Sequence, residues 1–431
     1  MSFLSIDRDL ARDSYYAATA QRGQGFPALS ASVDCDVAVV GGGLAGLSAA
    51  LELAHKGFEV VLLEAKEVAW GASGRNGGQA IHGLACDQET IEAQLGLDDA
   101  RKVWGMSLEA IDLIRERMAT HGIDCDWREG YLGLATSEHK AAELSAWVDR
   151  MAEVYGAKFS RIGRGDVQRW IDSPRYAGGM HDPHSGHLHP LKYSLGIAGA
   201  AARAGVHIHE NTPVTAVHQG GTVRVATASG EVRAKQALLA GNVYLQGMVP
   251  QLETRIMPVG TYIVCSESID KAVCDSLVPS RSAVCDTNFV LDYFRPTNDN
   301  RMLYGGRVSY STRTPRNLAE GMRQRMVGTF PQLASTRIEF AWGGFVDITM
   351  NRAPDFGRLA PNLYYLQGFS GHGLALTGLA GKLVAEAMNG DASRFDVFAR
   401  LKHHAFPGGR WLRTPALVLG MAWYRLRDLL G

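Results

Sequence analysis

Apolar residues along the chain fall into two regimes: short unbroken runs that end in glycine, and longer stretches with apolar positions three and four apart. Residues 37–40 are an apolar run closed by Gly41-Gly42-Gly43, as a strand buried on both faces requires. Residues 44–55 place Leu47, Ala50, Leu51 and Ala54 on one helical face. Lys56-Gly57 ends that helix at a residue suited to a left-handed cap, and residues 59–64 return to a strand. From about residue 87 to 170 the pattern is helical, clearest over 110–118, with a strand at 131–135. Residues 191–204 predict an alanine-rich helix with Pro190 in its first turn. Residues 206–214 alternate as a strand, 222–227 and 231–234 predict a hairpin around Ser229-Gly230, and 236–241 predict a further buried strand. Residues 251–345 mix strands with one helix at 317–329, residues 362–368 read as a strand, and residues 374–388 as a helix closed by Asn389-Gly390.

The first strand–turn–helix carries a phosphate-binding pattern. Gly41 permits the tight turn, Gly43 lets a pyrophosphate approach the backbone, and Gly46 lets the helix pack on the strand. The free N–H groups and positive dipole end of the helix face the phosphates. Glu64 follows Gly46 at about the 20-residue spacing of a carboxylate that accepts ribose hydroxyls. Glycine is abundant, 49 of 431 residues, so the motif alone is weak; strand, helix, second strand and acid in order make it specific for a dinucleotide.

Two further segments point to a flavin. Gly71-Ala72-Ser73-Gly74-Arg75-Asn76-Gly77-Gly78-Gln79 is too glycine-rich for a helix and can wrap a ligand closely. Gly368-Phe369-Ser370-Gly371-His372-Gly373-Leu374 joins a strand to a helix, with Ser370 or the glycines expected to cap it. That helix tip, aimed at a flavin's pyrimidine end, would stabilise the charge that grows there on reduction.

Strand–turn units therefore recur at both ends and in the middle. The fold class expected is α/β with α+β character: a discontinuous Rossmann-like FAD-binding domain plus an antiparallel-sheet substrate domain. The first takes residues 33–82, 190–250 and 341–395, the second residues 83–189 and 251–340, with a polar lead-in at 1–32 and a tail at 396–431.

Composition changes little in this picture. Formal net charge is zero and 46% of residues are hydrophobic, which gives no support for nucleic-acid binding. No apolar run reaches the ~18–20 residues of a membrane span, and no secretion signal is visible at the amino end. Six cysteines without a Cys-x-x-Cys pair read as reduced thiols of a cytoplasmic protein. The tail, with Trp411, Trp423 and Tyr424 among arginines, is either a docked helix or a peripheral contact with the inner face of a membrane. His181, His184, His187 and His189 crowd one segment, but their spacing matches no metal site; Asp182-Pro183 and Ser185-Gly186 predict a loop before a helix, and no metal is expected.

Together these segments resemble the D-amino-acid oxidase and glycine/sarcosine oxidase superfamily of FAD enzymes over residues 33–395. Further signatures are Asn211-Thr212-Pro213-Val214, Leu239-Ala240-Gly241-Asn242, Ala341-Trp342-Gly343-Gly344 and Asn351-Arg352-Ala353-Pro354-Asp355. Within it, the flavin loop, Gly186-His187-Leu188-His189-Pro190 and Phe406-Pro407-Gly408-Gly409-Arg410 are most similar to bacterial gamma-glutamylputrescine oxidases. Oxidases of secondary-amine acids such as L-pipecolate or sarcosine share most of the pattern.

The resemblance implies that the backbone of Val214 holds adenine, Gly41, Gly43, Leu44, Ala45 and Gly46 the pyrophosphate, and Glu64, with Ala65 and Lys66, the ribose. It assigns the flavin to Gly71, Ala72, Ser73, Arg75, Asn76, Gly77, Gly78 and Gln79, and to Gly371, His372, Gly373, Leu374, Ala375, Leu376 and Thr377, with Gly241 and Gly343 beside them. The stretch that carries a flavin-tethering cysteine in some relatives corresponds to residues 342–344, which have none, so non-covalent FAD is expected. The implied reaction moves a hydride from the carbon beside an amine nitrogen to flavin N5, and the imine then hydrolyses. The implied partners are a small amine or amino acid and, as electron acceptor, oxygen or a quinone, in amino-acid or polyamine catabolism. Candidates for catalysis or substrate contact are His82, Tyr262, Arg307, Trp342 and His372, with Arg307 suited to a substrate carboxylate; Tyr293 is a further candidate wall. Two other readings stand beside this one. An NAD(P)H-dependent flavin reductase would need a second Gly-x-Gly-x-x-Gly, which is absent. A non-catalytic dinucleotide-binding protein would not need the flavin loop.

Overall fold

The computed structural model describes residues 13–245, 247–288, 291–309 and 317–407. Its first sheet runs in the order Asp355–Ala360, Leu363–Gln367, Glu231–Leu239, Val33–Val40, Val60–Leu63, His207–His209. Val33–Val40 is central because it is apolar on both faces, and it pairs in parallel with Glu231–Leu239 and Val60–Leu63. Leu363–Gln367 joins in the same direction. Four strands thus end on one edge, at Val40, Leu63, Leu239 and Gln367, which is where an open α/β sheet holds its ligands. The two strand segments read at 231–234 and 236–241 are one continuous strand. Its first half also pairs with Val223–Thr227, so the hairpin and the buried ladder share a backbone.

Helices Leu44–His55 and Gly373–Met388 pack together on this sheet. They meet backbone to backbone: a Cβ at Gly381 would lie 2.5 Å from the Ala49 nitrogen and 2.6 Å from Ser48 Oγ. Ser48 Oγ donates to the Gly378 carbonyl (2.6 Å) and accepts from the buried Arg117, which also reaches Glu52 (2.7 Å each).

The second sheet runs Ile338–Thr349, Ile256–Ser266, Met302–Ser309, Tyr293–Pro296, Ala283–Asp286, Arg128–Ala135, Gly178–His187, Gln79–Ala80, with Ser160–Ile162 beside Gly178–His187. It is antiparallel except where Ala283–Asp286 meets Arg128–Ala135. Helix Leu318–Thr329 covers one face through Met322 and Met326. Helix Lys271–Leu277, too short to show periodicity, was not foreseen. Ile338–Thr349 pairs along its length with Ile256–Ser266, so residues 341–349 go with this second sheet.

Two expectations fail. The histidine-rich segment is a strand, Gly178–His187, and not a loop. Its turn-forming residues fit because Gly130 (φ 98°) sits at a register shift, where residues 183–185 face a single position on Arg128–Ala135. His184 Nε2 stands 3.3 Å from Asp112, His187 bonds the Arg281 carbonyl (2.8 Å), and His189 accepts the Lys192 N–H at the start of helix Pro190–Arg203 (3.2 Å). The polar lead-in is not solvated throughout: Ser14, Tyr15, Tyr16 and Leu29 are buried, while most of residues 17–32 are exposed. Helix Tyr15–Thr19 buries both tyrosines; Tyr16 OH accepts from Arg295 (3.1 Å) and Tyr15 OH donates to Asp299 (2.7 Å). The expected tail contact at Trp411, Trp423 and Tyr424 lies outside the described residues. Among the described residues no helix is long and apolar enough to cross a membrane.

The bare contact between the two helices gives a stability prediction. Gly381→Ala is expected to lower unfolding stability by about 2 kcal/mol, as overpacking does. Gly328→Ala, where a Cβ meets nothing within 4 Å, is expected to be neutral or stabilising. Denaturant midpoints of the two variants against the parent check this.

Candidate active site

At the edge where the parallel strands end, Gly41 takes φ 114° and packs against the Ala240 carbonyl, 2.7 Å from where a Cβ would stand. Gly46 could carry no Cβ without striking the Gly41 carbonyl, so it serves packing rather than ligand contact. Helix Leu44–His55 has no cap from its own N-cap residue, Gly43; instead Ser73 Oγ, from the glycine-rich loop, accepts the Leu44 N–H (2.8 Å). Glu64 accepts the N–H groups of Gly42 (2.7 Å) and Lys66 (2.9 Å). Burial raises its pKa, and those backbone N–H groups offset part of the effect.

The glycine-rich loop makes a short turn at Ala72–Gly74 and then enters the second sheet as Gln79–Ala80. Asn76 shapes it, donating to the Ala72 carbonyl (3.0 Å) and accepting the Gly78 N–H (2.8 Å). The Arg75 guanidinium lies 4.1 Å over the Trp70 ring, and Trp342 Nε1 donates to the Arg75 carbonyl (2.9 Å). Tyr293 abuts the same loop: a Cβ at Gly77 would come 2.7 Å from its ring, and Gly305 is bare for the same reason.

The second turn is organised by Asp347. Its Oδ2 accepts the N–H groups of Gly368 and Phe369, and its carbonyl accepts that of Ser370 (2.9 Å). Burial pushes the Asp347 carboxyl up to about 6, against those backbone hydrogen bonds. Ser370 does not cap the helix. Its hydroxyl takes the Thr349 N–H (3.2 Å), and the N-cap of Gly373–Met388 is His372, which makes no side-chain cap. The first N–H groups of that helix therefore remain open to the cavity.

His372 Nε2 lies 2.8 Å from the His82 carbonyl and 3.2 Å from that of Ile81; both can only accept, so Nε2 carries the proton. Burial depresses the His372 pKa to about 4, leaving a neutral ring. The His82 side chain turns away, its Nδ1 2.7 Å from Asp182 and its ring 4.5 Å from that of Phe159, with Trp104, Tyr131 and Trp147 around it. Burial would raise Asp182, but His82 and Ser185 hold it down to about 2.

These pieces enclose one cavity of about 2030 Å³, far above the ~300–1,000 Å³ of an ordinary small-molecule site. Gly41, Gly43, Leu44, Ala45, Glu64, Ala65, Lys66 and Val214 line one end with Asn211 and Thr212; Gly71, Ala72, Ser73, Arg75, Asn76, Gly77, Gln79, Gly241, Gly371, His372, Gly373, Leu374 and Thr377 line the rest. Gly46, Gly78, Gly343, Ala375 and Leu376 pack behind this wall. His82, Tyr262 and Trp342 do too: Tyr262 is buried in the core of the second sheet, and Trp342 among Tyr15, Tyr16 and Leu191. The backbone of Arg307 pairs with Tyr262; its side chain lies outside the described residues. Residues not singled out as site candidates also line the cavity: Asp347, Arg352, Cys285 and the amino-end Ser14 and Ala17. Asp347 had one visible signal, an acid inside the otherwise apolar run at 341–348.

The profile described as DAO: FAD dependent oxidoreductase matches residues 36–387. The chain belongs to this family of FAD-dependent oxidoreductases. It is 43% identical over 419 residues to a gamma-glutamylputrescine oxidoreductase of Escherichia coli (strain K12), covering 97% of this chain and 98% of that protein. It is 40% identical to a probable oxidoreductase OrdL of Haemophilus influenzae, covering 96% and 97%. Among solved structures, glycine oxidase from Geobacillus kaustophilus superposes with a TM-score of 0.70 at 22% identity, over 83% of this chain and 95% of that one. L-amino acid deaminase from Proteus vulgaris superposes with a TM-score of 0.70 at 20% identity, over 88% and 96%. These two likenesses are of fold.

The cavity suits the family's cofactor on its own evidence. Two helix tips without caps of their own face it, glycines leave room at the first turn, and a carboxylate stands at the dinucleotide end.

Asp347 gives a pH prediction. Its folded pKa is raised from 3.8 to about 6, so the folded state is favoured by its protonated form below about pH 4 and loses that stability as pH rises through about 6. Asp347→Asn is uncharged throughout. Its stability relative to the parent is expected to improve between pH 4 and pH 8, by up to about 3 kcal/mol. Chemical denaturation of the FAD-replete proteins at both pH values measures this; an unchanged difference refutes it.

Proposed function

We propose that the protein oxidises the carbon–nitrogen bond of a gamma-glutamyl-type amine, with FAD bound without a covalent tether. The observation that carries the reading is the near-full-length likeness to the Escherichia coli oxidoreductase, combined with a cavity shared by both sheets. Bound FAD supplies the hydride acceptor. The protein's part is to hold and strip water from the amine. Met257, Val259, Thr261, Cys285 and Tyr293 of the second sheet line the same cavity as the helix tip at Gly371 and Gly373. Such a wall disfavours a charged ammonium and favours the neutral amine that can release hydride. His372, neutral and with Nε2–H committed to backbone carbonyls, offers the cavity only Nδ1, an acceptor for an amine N–H. Trp342 holds the flavin loop from behind through the Arg75 carbonyl and acts as a positioning residue.

The non-covalent state rests on the absence of cysteine at residues 342–344. Acid precipitation is expected to leave the yellow colour in the supernatant; a coloured pellet refutes it. For the substrate, the parent protein is mixed without air with gamma-glutamylputrescine, sarcosine, L-pipecolate or NADPH. Bleaching is expected with the first, and none with NADPH. Fastest bleaching by a secondary-amine acid would move the substrate to that class, and bleaching by NADPH would make the protein a flavin reductase. Admitting oxygen or a quinone to the bleached sample identifies the electron acceptor.

A free alkylammonium has a pKa of about 10.4. Activity is therefore expected to rise from pH 6 towards 10 with the substrate's ionisation, and His372→Asn is expected to leave the position of that limb unchanged, because His372 is already neutral above about pH 4. A flat profile counts against the mechanism.

A further inference from the structure

The family profile begins at residue 36, yet the chain before it reaches the cofactor cavity: Ser14, Ala17 and Arg22 line it. Residues 13–29 form a strap that is fastened at both ends. At the first end Tyr15 and Tyr16 are buried. Tyr15 OH donates to Asp299 (2.7 Å), and Tyr16 OH accepts from Arg295 (3.1 Å), whose Nε donates to the Gly77 carbonyl (2.8 Å). The Tyr16 ring also meets that of Trp342 edge-on at 5.3 Å, and Trp342 holds the Arg75 carbonyl. This end is therefore tied to the flavin loop.

The other end is tied to the dinucleotide end of the cavity. Leu29 is buried and its N–H goes to Thr212 Oγ1 (3.0 Å), while Thr212 N donates to the Glu64 carbonyl (2.8 Å). The buried Glu210 carboxylate takes the Phe26 N–H on one oxygen (3.0 Å) and the Val68 N–H on the other (2.6 Å). Between the two ends, residues 21–25 are exposed, and a Cβ at Gly23 would meet nothing within 4 Å. This span is held through Arg22, whose guanidinium donates to the Val68 carbonyl (3.1 Å) and stands 3.4 Å from Glu67. A stretch with so few buried contacts opens at low free-energy cost while its ends stay in place. The flavin loop and the ribose end, already joined through residues 65–70, are thus joined a second time by a segment that itself walls the cavity.

We propose that residues 13–29 belong to the FAD site: the strap completes its wall at Ser14, Ala17 and Arg22, and the cofactor leaves only when the bare span around Arg22 opens. A flavin without a covalent tether is retained by its walls alone, and this wall is the one with the fewest buried contacts. The proposal holds whichever amine is oxidised.

The test starts with trypsin, for which the exposed Arg22–Gly23 bond of the span is a target. Its cleavage, read from fragment masses, is timed in FAD-stripped and FAD-replete protein. Arg164–Gly165, an exposed bond whose residues do not line the cavity, is timed beside it. FAD is expected to slow the first cleavage at least tenfold and to leave the second within twofold, because a ligand that only stabilised the whole molecule would protect both. FAD release is then followed by the rise in flavin fluorescence on dilution. It is expected to be at least fivefold faster from protein nicked at Arg22–Gly23, and from Arg22→Ala, than from the intact parent. Equal cleavage of Arg22–Gly23 with and without FAD overturns the proposal, as does equal protection of the two bonds. A rise in release rate of less than fivefold in the nicked protein overturns it too. Should the stripped protein not stay folded, release from FAD-replete Arg22→Ala decides, a rise of less than fivefold overturning the proposal.

Discussion

The site depends on two helices lying closer together than side chains normally allow. Leu44–His55 and Gly373–Met388 meet through Gly381 against the Ala49 backbone and through Ser48 against the Gly378 carbonyl. That contact, locked by Arg117, fixes the spacing of their amino-terminal ends. Neither end is capped by its own N-cap residue, although Ser73 takes the Leu44 N–H, and both ends line one cavity towards which their dipoles point. Parallel strands that all terminate at the same edge carry the helices there. The fold thus concentrates positive potential along a line long enough for a dinucleotide.

The second sheet closes the other side. It reaches the cofactor cradle through three direct fastenings: Gln79–Ala80 joins it as a strand, Trp342 bonds the Arg75 carbonyl, and Tyr293 fits against Gly77. The amino-terminal helix adds a fourth, since Tyr16 meets Arg295, which in turn donates to the Gly77 carbonyl (2.8 Å). A loop with this many glycines would have no fixed shape alone. Here its order is imposed from the substrate side, so the walls that face the amine also shape the flavin seat.

Electrostatics in the cavity are set by which charges are spent. Asp347 is consumed by the turn it organises, Glu64 by the first turn, and Asp182 by His82 within an aromatic enclosure. His372 is neutral because burial outweighs its two carbonyl partners. The helix tip at His372 has no side-chain cap, and Arg352, also on the cavity wall, has its Nε buried without a partner.

Much of this was legible along the chain. Continuous apolar runs ending in glycine, followed by a 3.6-residue period, specify parallel strand–turn–helix units by local physics alone, and Gly41, Gly43, Gly46 and Glu64 are bound to one another by spacing. The flavin loop and the Gly371-His372-Gly373 turn were legible for the same reason, since few other uses require so many bare backbones. Long-range pairing was not legible. Residues 178–187 carry turn-forming residues, yet partners on both sides and a bulge make them a strand. Trp342 and His82 looked like cavity walls from their neighbours in sequence, but side-chain direction depends on which face of a strand or loop is buried, and both turn inward to Arg75 and Asp182. Arg352 was read only as part of a family signature, with no role assigned to its side chain. Only the folded chain shows it in a left-handed turn that lines the chamber, with its Nε buried and without a hydrogen-bond partner, because the surroundings of an atom are a property of three-dimensional packing and leave no mark on the order of residues.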